Sequence, residues 1–248
     1  MKLKIWIDEG REGNKFRRTL WDIKQILRYI YLKTPYRQRA SKIIHSHKAI
    51  YFDIPKVATS SIFSLIYKEV YNKEKDNYYD MYRFFPQVRE IDTDKKWFKE
   101  YYKFTFVRNP YSKIVSCYKD LIVKHKIKSI IDCLGISEDA SFKEFVSAVS
   151  KKTDKELGDM DTHIRPQHLY LYKNNKLLVD YIGRVESIKE DINIIFKKIG
   201  FNKVDEIPTL NRSAIDDYKK YYNDETRDIV FKRYKKDFEL FNYNGDVI

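Results

Sequence analysis

The sequence has little cysteine, glycine and proline, and it has no long hydrophobic segment. Its two cysteines, Cys117 and Cys133, are too few for a disulfide framework or a four-thiolate zinc site. Seven glycines and six prolines among 248 residues leave no linker-like or collagen-like stretch. No apolar run approaches about 18 residues, and the first residues lack the apolar core and cleavage site of a signal peptide. We therefore expect a cytoplasmic protein in a reducing compartment.

The composition indicates one folded core under a heavily charged surface. Hydrophobic residues make up 43% of the chain, aromatic residues 16% and charged residues 34%, which excludes a wholly disordered chain. The length fits a single domain of ordinary size. We divide the chain into a basic helical extension, residues 1–48, and a main domain, residues 49–248.

The positive charge is concentrated at the N-terminal end. The formal net charge is +13, and residues 1–48 hold 13 basic and 4 acidic side chains, a net charge of +9. From residue 17 to 33, apolar residues recur at helical spacing with Arg and Lys between them, which predicts an amphipathic basic helix ending before Pro35. This helix either packs on the main domain or makes peripheral contact with a membrane surface.

Three β-rich runs are each followed by a helix signal. The runs are residues 49–54, 103–107 and 177–182, and the helix signals that follow them lie at Thr59, Asn109-Pro110 and Ser187. A capping box, Ser141 to Glu144, opens a further helix. Strands alternating with helices predict an α/β fold with a central parallel sheet flanked by helices in three layers. Ligands of such sheets bind beyond the carboxyl ends of the strands.

The loop after the first strand has the groups that bind a phosphate. Lys56 is followed by Val57, Ala58, Thr59, Ser60 and Ser61. These five residues supply backbone N–H groups, three hydroxyls and the predicted N-terminus of a helix. It is not the nucleotide-triphosphatase loop, because G-x-x-x-x-G-K-[ST] is absent. A plain surface turn between strand and helix is the alternative.

The loop after the second strand offers a second anion contact. Arg108 ends the strand, and Ser116 lies about two turns into the helix behind it. A guanidinium can bind one phosphate by a bidentate fork while a hydroxyl donates to the same group. Ser116 alone is better explained as a small polar residue on a helix, and the pairing with Arg108 after a strand is what favours the phosphate contact.

Together with two later segments, these loops resemble a known enzyme family. The segments are IPKVATSSI (54–62), FVRNPYSKIVSCYKD (106–120), DYIGRVESIKEDI (180–192) and YKKDFELFNY (234–243). In this order they resemble the carbohydrate sulfotransferases of the chondroitin and dermatan 4-sulfotransferase type. That resemblance implies a three-layer, P-loop-like fold and the co-substrate 3'-phosphoadenosine 5'-phosphosulfate (PAPS), with the bisphosphate PAP as product.

The resemblance also implies roles for the two loops. Lys56 and residues 57–61 would bind the 5'-phosphosulfate, with Lys56 stabilising the leaving phosphate oxygen, and Arg108 with Ser116 would bind the 3'-phosphate. Arg212 lies where such enzymes close a loop over the nucleotide, which implies a second contact to the 3'-phosphate. A sulfonate carries less charge than a phosphate monoester, so we expect no metal ion.

The acceptor hydroxyl needs a base, and several residues qualify. His163, in the pattern Asp161-x-His163-x-x-x-Gln167 that resembles the family, is the first choice. Related enzymes place a His or Glu base between the two phosphate loops, where this chain has Glu69, Glu90 and Glu100.

Further residues are candidate contacts to substrate. Arg165 and Gln167 are candidate acceptor contacts. Arg184, after the third strand, would support the nucleotide or the acceptor, or would form a surface ion pair with Glu186.

The resulting expectation is a bacterial enzyme that moves a sulfuryl group from PAPS to a hydroxyl of a saccharide by in-line displacement. The acceptor would be a glycan, polysaccharide or glycolipid, acidic or lipid-linked, and no nucleic-acid partner is expected. Two alternatives stay open. One is a Mg²⁺-dependent nucleotide phosphotransferase, and the other is a basic module that binds nucleic acid or a membrane surface.

Overall fold

The structure is a computed structural model that describes residues 41–73, 81, 84–86, 88, 95–153, 156, 163–208 and 218–245. In these residues the strands are β1 (Lys42–Ile44), β2 (Ala49–Phe52), β3 (Tyr102–Val107), β4 (Tyr172–Lys173), β5 (Lys176–Leu177) and β6 (Tyr181–Arg184). The helices are α1 (Thr59–Tyr71), α2 (Lys96–Glu100), α3 (Pro110–Tyr118), α4 (Lys128–Leu134), α5 (Phe142–Ser150), α6 (His168–Leu171), α7 (Ile188–Ile199) and α8 (Asp224–Leu240). The predicted basic helix, residues 17–33, lies outside the described residues.

A four-stranded sheet in the order β1-β2-β3-β6 forms the centre of the fold. β2, β3 and β6 are parallel, and β1 is an antiparallel edge strand on β2. β2 is buried along its whole length and β3 from its second residue on, as the nearly continuous apolar runs predicted. The prediction of an α/β fold with a mostly parallel sheet is confirmed. β1 lies within residues 1–48, the predicted extension, and pairs with β2 in the sheet.

The parallel strands present their carboxyl ends at one edge of the sheet. Phe52 pairs with Thr105, and Val107 pairs with Arg184. The hydroxyl of Thr105 also donates to the carbonyl of Phe52 at 2.7 Å, which fixes the end of β2 against β3. The loops that follow β2, β3 and β6 therefore leave the sheet side by side.

The boundaries of α3, α5 and α7 follow the capping signals of the sequence, whereas the N-cap of α1 is Ala58 and not Thr59. The side chain of Asn109 accepts from the N–H of Tyr111 at 2.9 Å, with Pro110 as the first residue of α3. Ser141 and Glu144 form the predicted capping box of α5. Gly200 ends α7 with a φ of 83°, a conformation that glycine adopts without steric cost.

The third predicted strand, Leu177–Ile182, has the wrong boundaries. Asn174 and Asn175 have φ values of 50° and 60° and turn the chain between β4 and β5, so Leu177 pairs with Tyr172 in a small hairpin. The sheet strand β6 begins only at Tyr181. Asparagine is one of the few residues that tolerate left-handed backbone, which is why this turn forms here.

Two hydrophobic clusters surround this framework. One joins the sheet to α1 and α7, and the other joins α3, α4, α5 and α8. At β6 the packing against the first cluster is so close that a Cβ on Gly183 would lie 2.6 Å from the ring of Phe106. Among the described residues, no helix is both long and apolar enough to cross a membrane.

Candidate active site

The loop after β2 has a strained backbone around Lys56. Lys56 and Ala58 have φ values of 68° and 60°, in the left-handed region that non-glycine residues rarely adopt. The hydroxyl of Thr59 donates to the carbonyl of Ile54 at 2.8 Å and closes the loop on itself. Such strain costs about 1–3 kcal/mol per residue and tends to occur at ligand-binding sites.

The same loop directs a helix N-terminus towards the sheet edge. Ala58 is the N-cap of α1 and supplies no side-chain acceptor for the first-turn N–H groups. Val57 is buried in the hydrophobic cluster that joins the sheet to α1 and α7. Ser61 is also buried, and Ser60 is half-buried. The geometry is therefore that of an anion site made by backbone N–H groups beside a lysine.

Arg108 lies directly beside this loop. Its side chain is 7% exposed; Nε donates to the hydroxyl of Ser112 at 2.9 Å, and Nη1 lies 3.4 Å from the carbonyl oxygen of Lys56. Burial lowers the pKa of the Arg108 guanidinium, and the nearby carboxylate of Glu186 opposes that shift. The structure thus brings the two predicted anion contacts, Lys56 and Arg108, to one place. Ser116 is buried one turn after Ser112, and its predicted contact with the phosphate stays a prediction.

Gln167 supports the backbone of Arg108. Its Oε1 accepts from the Arg108 N–H at 2.9 Å, and its Nε2 donates to the Arg108 carbonyl at 2.8 Å. Gln167 has no exposed surface. This side chain was expected to contact the acceptor, and in the structure it holds the backbone of Arg108 instead. It therefore has the geometry of a positioning residue for the loop that begins at Arg108, which we call the arginine loop.

Helix α3 holds the segment that contains His163. Lys113 is almost fully buried, and its ammonium donates to the carbonyls of His163 at 2.6 Å and Arg165 at 2.9 Å. The thiol of Cys117, one turn later, lies 3.1 Å from the same His163 carbonyl. Two side chains of one helix face therefore fix the backbone of the candidate base.

After α3 the chain continues as a π-helical turn, Lys119–Lys124, which carries Asp120. The Asp120 carboxylate accepts from the Lys56 ammonium at 2.9 Å. Burial alone would raise the pKa of Asp120, but the hydrogen bond and charge of Lys56, with smaller contributions from His163 and His125, lower it. Lys56 and Asp120 thus form an ion pair, and the His163 carbonyl is held at Cys117, one turn before Asp120.

A buried carboxylate on α8 secures Gln167 in turn. Asp237 has no exposed surface; it accepts from the N–H of Gln167 at 2.7 Å, from the N–H of His168 at 2.9 Å and from Nδ1 of His168 at 2.6 Å. These bonds satisfy donors at the start of α6 that would otherwise be buried without a partner. The carboxylate thus connects the C-terminal helix to the arginine loop through Gln167.

Replacing Asp237 is expected to destabilise the whole protein. The change Asp237→Ala leaves two backbone donors and an imidazole without their acceptor, and we expect a loss of about 3 kcal/mol in the free energy of unfolding, measured by urea denaturation. Asp228→Ala is the matched control, because Asp228 lies on the same helix and is mostly exposed. Equal stability of the two variants would contradict this role for Asp237.

The loop after β6 packs against the chain beyond α8. Glu186 accepts from the Asn109 N–H at 2.7 Å and from the Tyr243 hydroxyl at 2.9 Å. Arg184 donates to the carbonyl of Phe241 at 2.7 Å, and its guanidinium lies 4.9 Å from the centre of the Tyr243 ring. Arg184 thus lies at the carboxyl end of β6, at the sheet edge where the ligand is predicted to bind. Its contacts in the structure are with Phe241 and Tyr243, beyond α8.

Of the other candidates, Arg165 lies beside this cluster, and the rest lie apart from it or outside the described residues. Glu69 accepts from the backbone and side chain of Asn202, and Glu100 is exposed beside Lys96. Arg165 adjoins His163, with its guanidinium 5.3 Å from the centre of the Tyr170 ring. Arg212 and Glu90 are not among the described residues.

Sequence reasoning missed Lys113 and Asp120, although a signal for them was present. Lys113, Cys117 and Asp120 stand at positions i, i+4 and i+7 of one helical segment, so they share a face. A helix that has a lysine and an aspartate on its otherwise apolar buried side calls for polar partners. Gln167 and Asp237 are distant in sequence from their partners and gave no comparable signal.

Comparison with known proteins assigns these features to a family. The profile described as "Sulfotransferase family" matches residues 39–244, a range that contains both loops, the sheet and α3. The chain belongs to the sulfotransferase family. The predicted resemblance to carbohydrate sulfotransferases is thereby confirmed, because the curated relatives include several enzymes of that name.

The relatives of this chain are distant. A protein of Archaeoglobus fulgidus, named only as uncharacterized, is 35% identical over 126 residues, 51% of the chain and 89% of the relative. Carbohydrate sulfotransferase 10 of Homo sapiens is 24% identical, covering 81% of the chain and 66% of the relative. Carbohydrate sulfotransferase 11 of Rattus norvegicus is 22% identical, covering 59% and 48%. The chain thus spans about half to two thirds of these named enzymes. No solved structure matches the chain.

Proposed function

We propose that the chain transfers a sulfuryl group from PAPS to a hydroxyl of a saccharide. The observation that carries the proposal is the contact between the Arg108 guanidinium and the Lys56 carbonyl at 3.4 Å. Two anion sites that follow different strands thereby lie close enough for one nucleotide with two phosphate groups to bind both. A distance too large for one nucleotide to bridge would have contradicted the proposal.

The two sites have different chemistry, which sets the orientation of the nucleotide. The loop at residues 56–61 combines an ammonium with a helix N-terminus, which suits the 5'-phosphosulfate and its leaving oxygen. Arg108 offers a fixed guanidinium fork held by Ser112, which suits the terminal 3'-phosphate. The P-loop-like character of the fold and the contact from Arg212 are part of this proposal.

His163 is the base that we propose for the acceptor hydroxyl. Its backbone is held by Lys113 and by Cys117, which lies one turn before Asp120, the partner of Lys56. The competing carboxylate Glu69 is engaged by Asn202. His163 is thus the candidate base whose segment is held beside the helical turn that carries Asp120.

The saccharide is proposed from the names of the curated relatives. Arg165, next to His163, and Arg184, at the same sheet edge, are the proposed contacts to it, and an acidic or lipid-linked glycan suits these cations. A cytoplasmic location, with the basic N-terminal segment at a membrane surface, is also part of the proposal.

The test is transfer of labelled sulfate from PAPS to a panel of glycans, in the presence of EDTA. We expect transfer, and we expect PAP to raise the melting temperature more than AMP does, because AMP lacks the 3'-phosphate. Equal stabilisation by PAP and AMP would contradict the assignment of Arg108. Transfer that stops in EDTA and returns with Mg²⁺ would favour the alternative of a metal-dependent phosphotransferase.

A further inference from the structure

Asp120 lies among three cationic or ionisable side chains of the proposed site. Its Oδ2 is 2.9 Å from the Lys56 ammonium, and its Oδ1 is 3.6 Å from Nε2 of His125. His163 is the third: its carbonyl lies 3.1 Å from the thiol of Cys117, one turn before Asp120, and its charge favours the ionised carboxylate. One carboxylate thus pairs with the proposed catalytic lysine and a neighbouring imidazole, beside the segment that carries the proposed base.

This ion pair differs from the surface pairs of the same chain. The side chains of Lys56 and Asp120 are 18% and 32% exposed, whereas Asp139, paired with Lys126, is 87% exposed. Partial burial reduces screening by water and salt, so the charge of Asp120 acts more strongly on its neighbours. A nucleotide that binds Lys56 must therefore compete with Asp120.

The backbone that carries Asp120 departs from the regular α-helix. Residues 119–124 form a π-helical turn directly after α3. Such turns are rare and occur frequently at functional sites, because they change the direction of a side chain at some cost in stability. Here the turn carries a carboxylate that meets Lys56, 64 residues away in sequence.

We propose that Asp120 is a counter-ion that serves Lys56 and His163 in turn. In the nucleotide-free protein it holds the Lys56 ammonium, and when the nucleotide draws that ammonium away it stabilises the protonated imidazole of His163. The inference rests on the proposed function, to which it adds a positioning residue.

The reaction creates the charge that Asp120 would stabilise. The acceptor oxygen forms a bond to sulfur, the bond between sulfur and the phosphate oxygen of PAPS breaks, and the acceptor proton passes to the imidazole of His163. The electron pair of the broken bond stays on PAP, beside Lys56. A new imidazolium is thereby added to a site that already holds the Lys56 ammonium, and a carboxylate offsets this accumulation of positive charge.

The substitution Asp120→Asn gives effects of opposite sign on binding and on turnover. Without a competing carboxylate, Lys56 is available to the nucleotide, and we expect PAP to bind about fivefold more tightly. Without the counter-ion for the imidazolium, we expect kcat to fall about 100-fold. Calorimetry with PAP and steady-state transfer from PAPS measure the two effects on the same preparation.

The matched controls are Asp139→Asn, which removes an exposed carboxylate from another lysine pair, and Asp120→Glu, which keeps the charge. We expect Asp139→Asn to leave both quantities unchanged and Asp120→Glu to restore part of kcat. A purely structural role for Asp120 would weaken PAP binding and turnover together, and that result, or an unchanged kcat, overturns the proposal. Failure of the proposed function is seen separately, as a wild-type protein that binds PAP no more tightly than AMP.

Discussion

Lys56→Ala is expected to lower kcat about 1,000-fold while the fold and most of the affinity for PAP are retained. Lys56 precedes α1 by three residues, and its ammonium, which contacts Asp120 at 2.9 Å, is the group proposed to meet the negative charge that develops on the leaving oxygen. Stabilisation of that charge is needed mainly in the transition state, so its loss appears in kcat. The contacts of Arg108 do not involve the Lys56 side chain, and they should keep binding the 3'-phosphate. Single-turnover transfer from PAPS measures the effect.

The control for this variant is Lys128→Ala, which removes a mostly exposed lysine that is paired with Asp132 on α4. We expect it to have wild-type turnover, because a surface ion pair contributes at most about 1 kcal/mol to stability and is outside the site. A Lys56→Ala enzyme within tenfold of wild-type kcat would remove Lys56 from the catalytic machinery. Loss of PAP binding together with a lower melting temperature would show that the side chain holds the loop instead.

The parts of the fold that could be predicted are those set by neighbouring residues. The strand at 103–107 and the start of α3 follow from a β-rich run, an asparagine cap and a proline within ten residues. The anion loop at Lys56 was found in the same way. Local signals such as these act before any tertiary contact forms, so they can be identified without the fold.

The predicted boundary of the third strand is wrong because it also depended on local signals alone. Periodicity placed a strand over residues 177–182, but the left-handed Asn174 and Asn175 made a hairpin that uses Leu177 first. Two asparagines are a weaker turn signal than Asn-Gly, so the apolar run dominated the prediction. A β-rich run can satisfy its hydrogen bonds in more than one sheet, and the turn decides which.

The parts of the candidate site that could not be predicted depend on contacts distant in sequence. Gln167 meets Arg108 across 59 residues, and Asp237 meets Gln167 across 70. Nothing in the composition of either segment distinguishes an internal hydrogen-bond partner from a residue that contacts a ligand. The family resemblance suggested an acceptor contact for Gln167, and burial of that side chain indicates its support of the arginine loop.

The preference for PAP over AMP is expected to depend on Arg108. In the variant Arg108→Lys the positive charge is kept, but the fork that binds two phosphate oxygens is lost. We expect the affinity for PAP to fall about 100-fold and the affinity for AMP to stay unchanged. Calorimetric titration with each nucleotide measures this difference, and AMP serves as the control within the same protein.

A lysine in place of Arg108 also tests what holds the loop. The Ser112 hydroxyl loses its bond from Nε, whereas the two bonds of Gln167 to the backbone of residue 108 do not depend on the side chain. The fold should therefore persist, with a melting temperature within a few degrees of the wild type. Equal losses of PAP and AMP affinity would mean that Arg108 organises the whole nucleotide site. Unchanged binding of both would remove the 3'-phosphate from this position, and with it the convergence of two strand ends on one nucleotide.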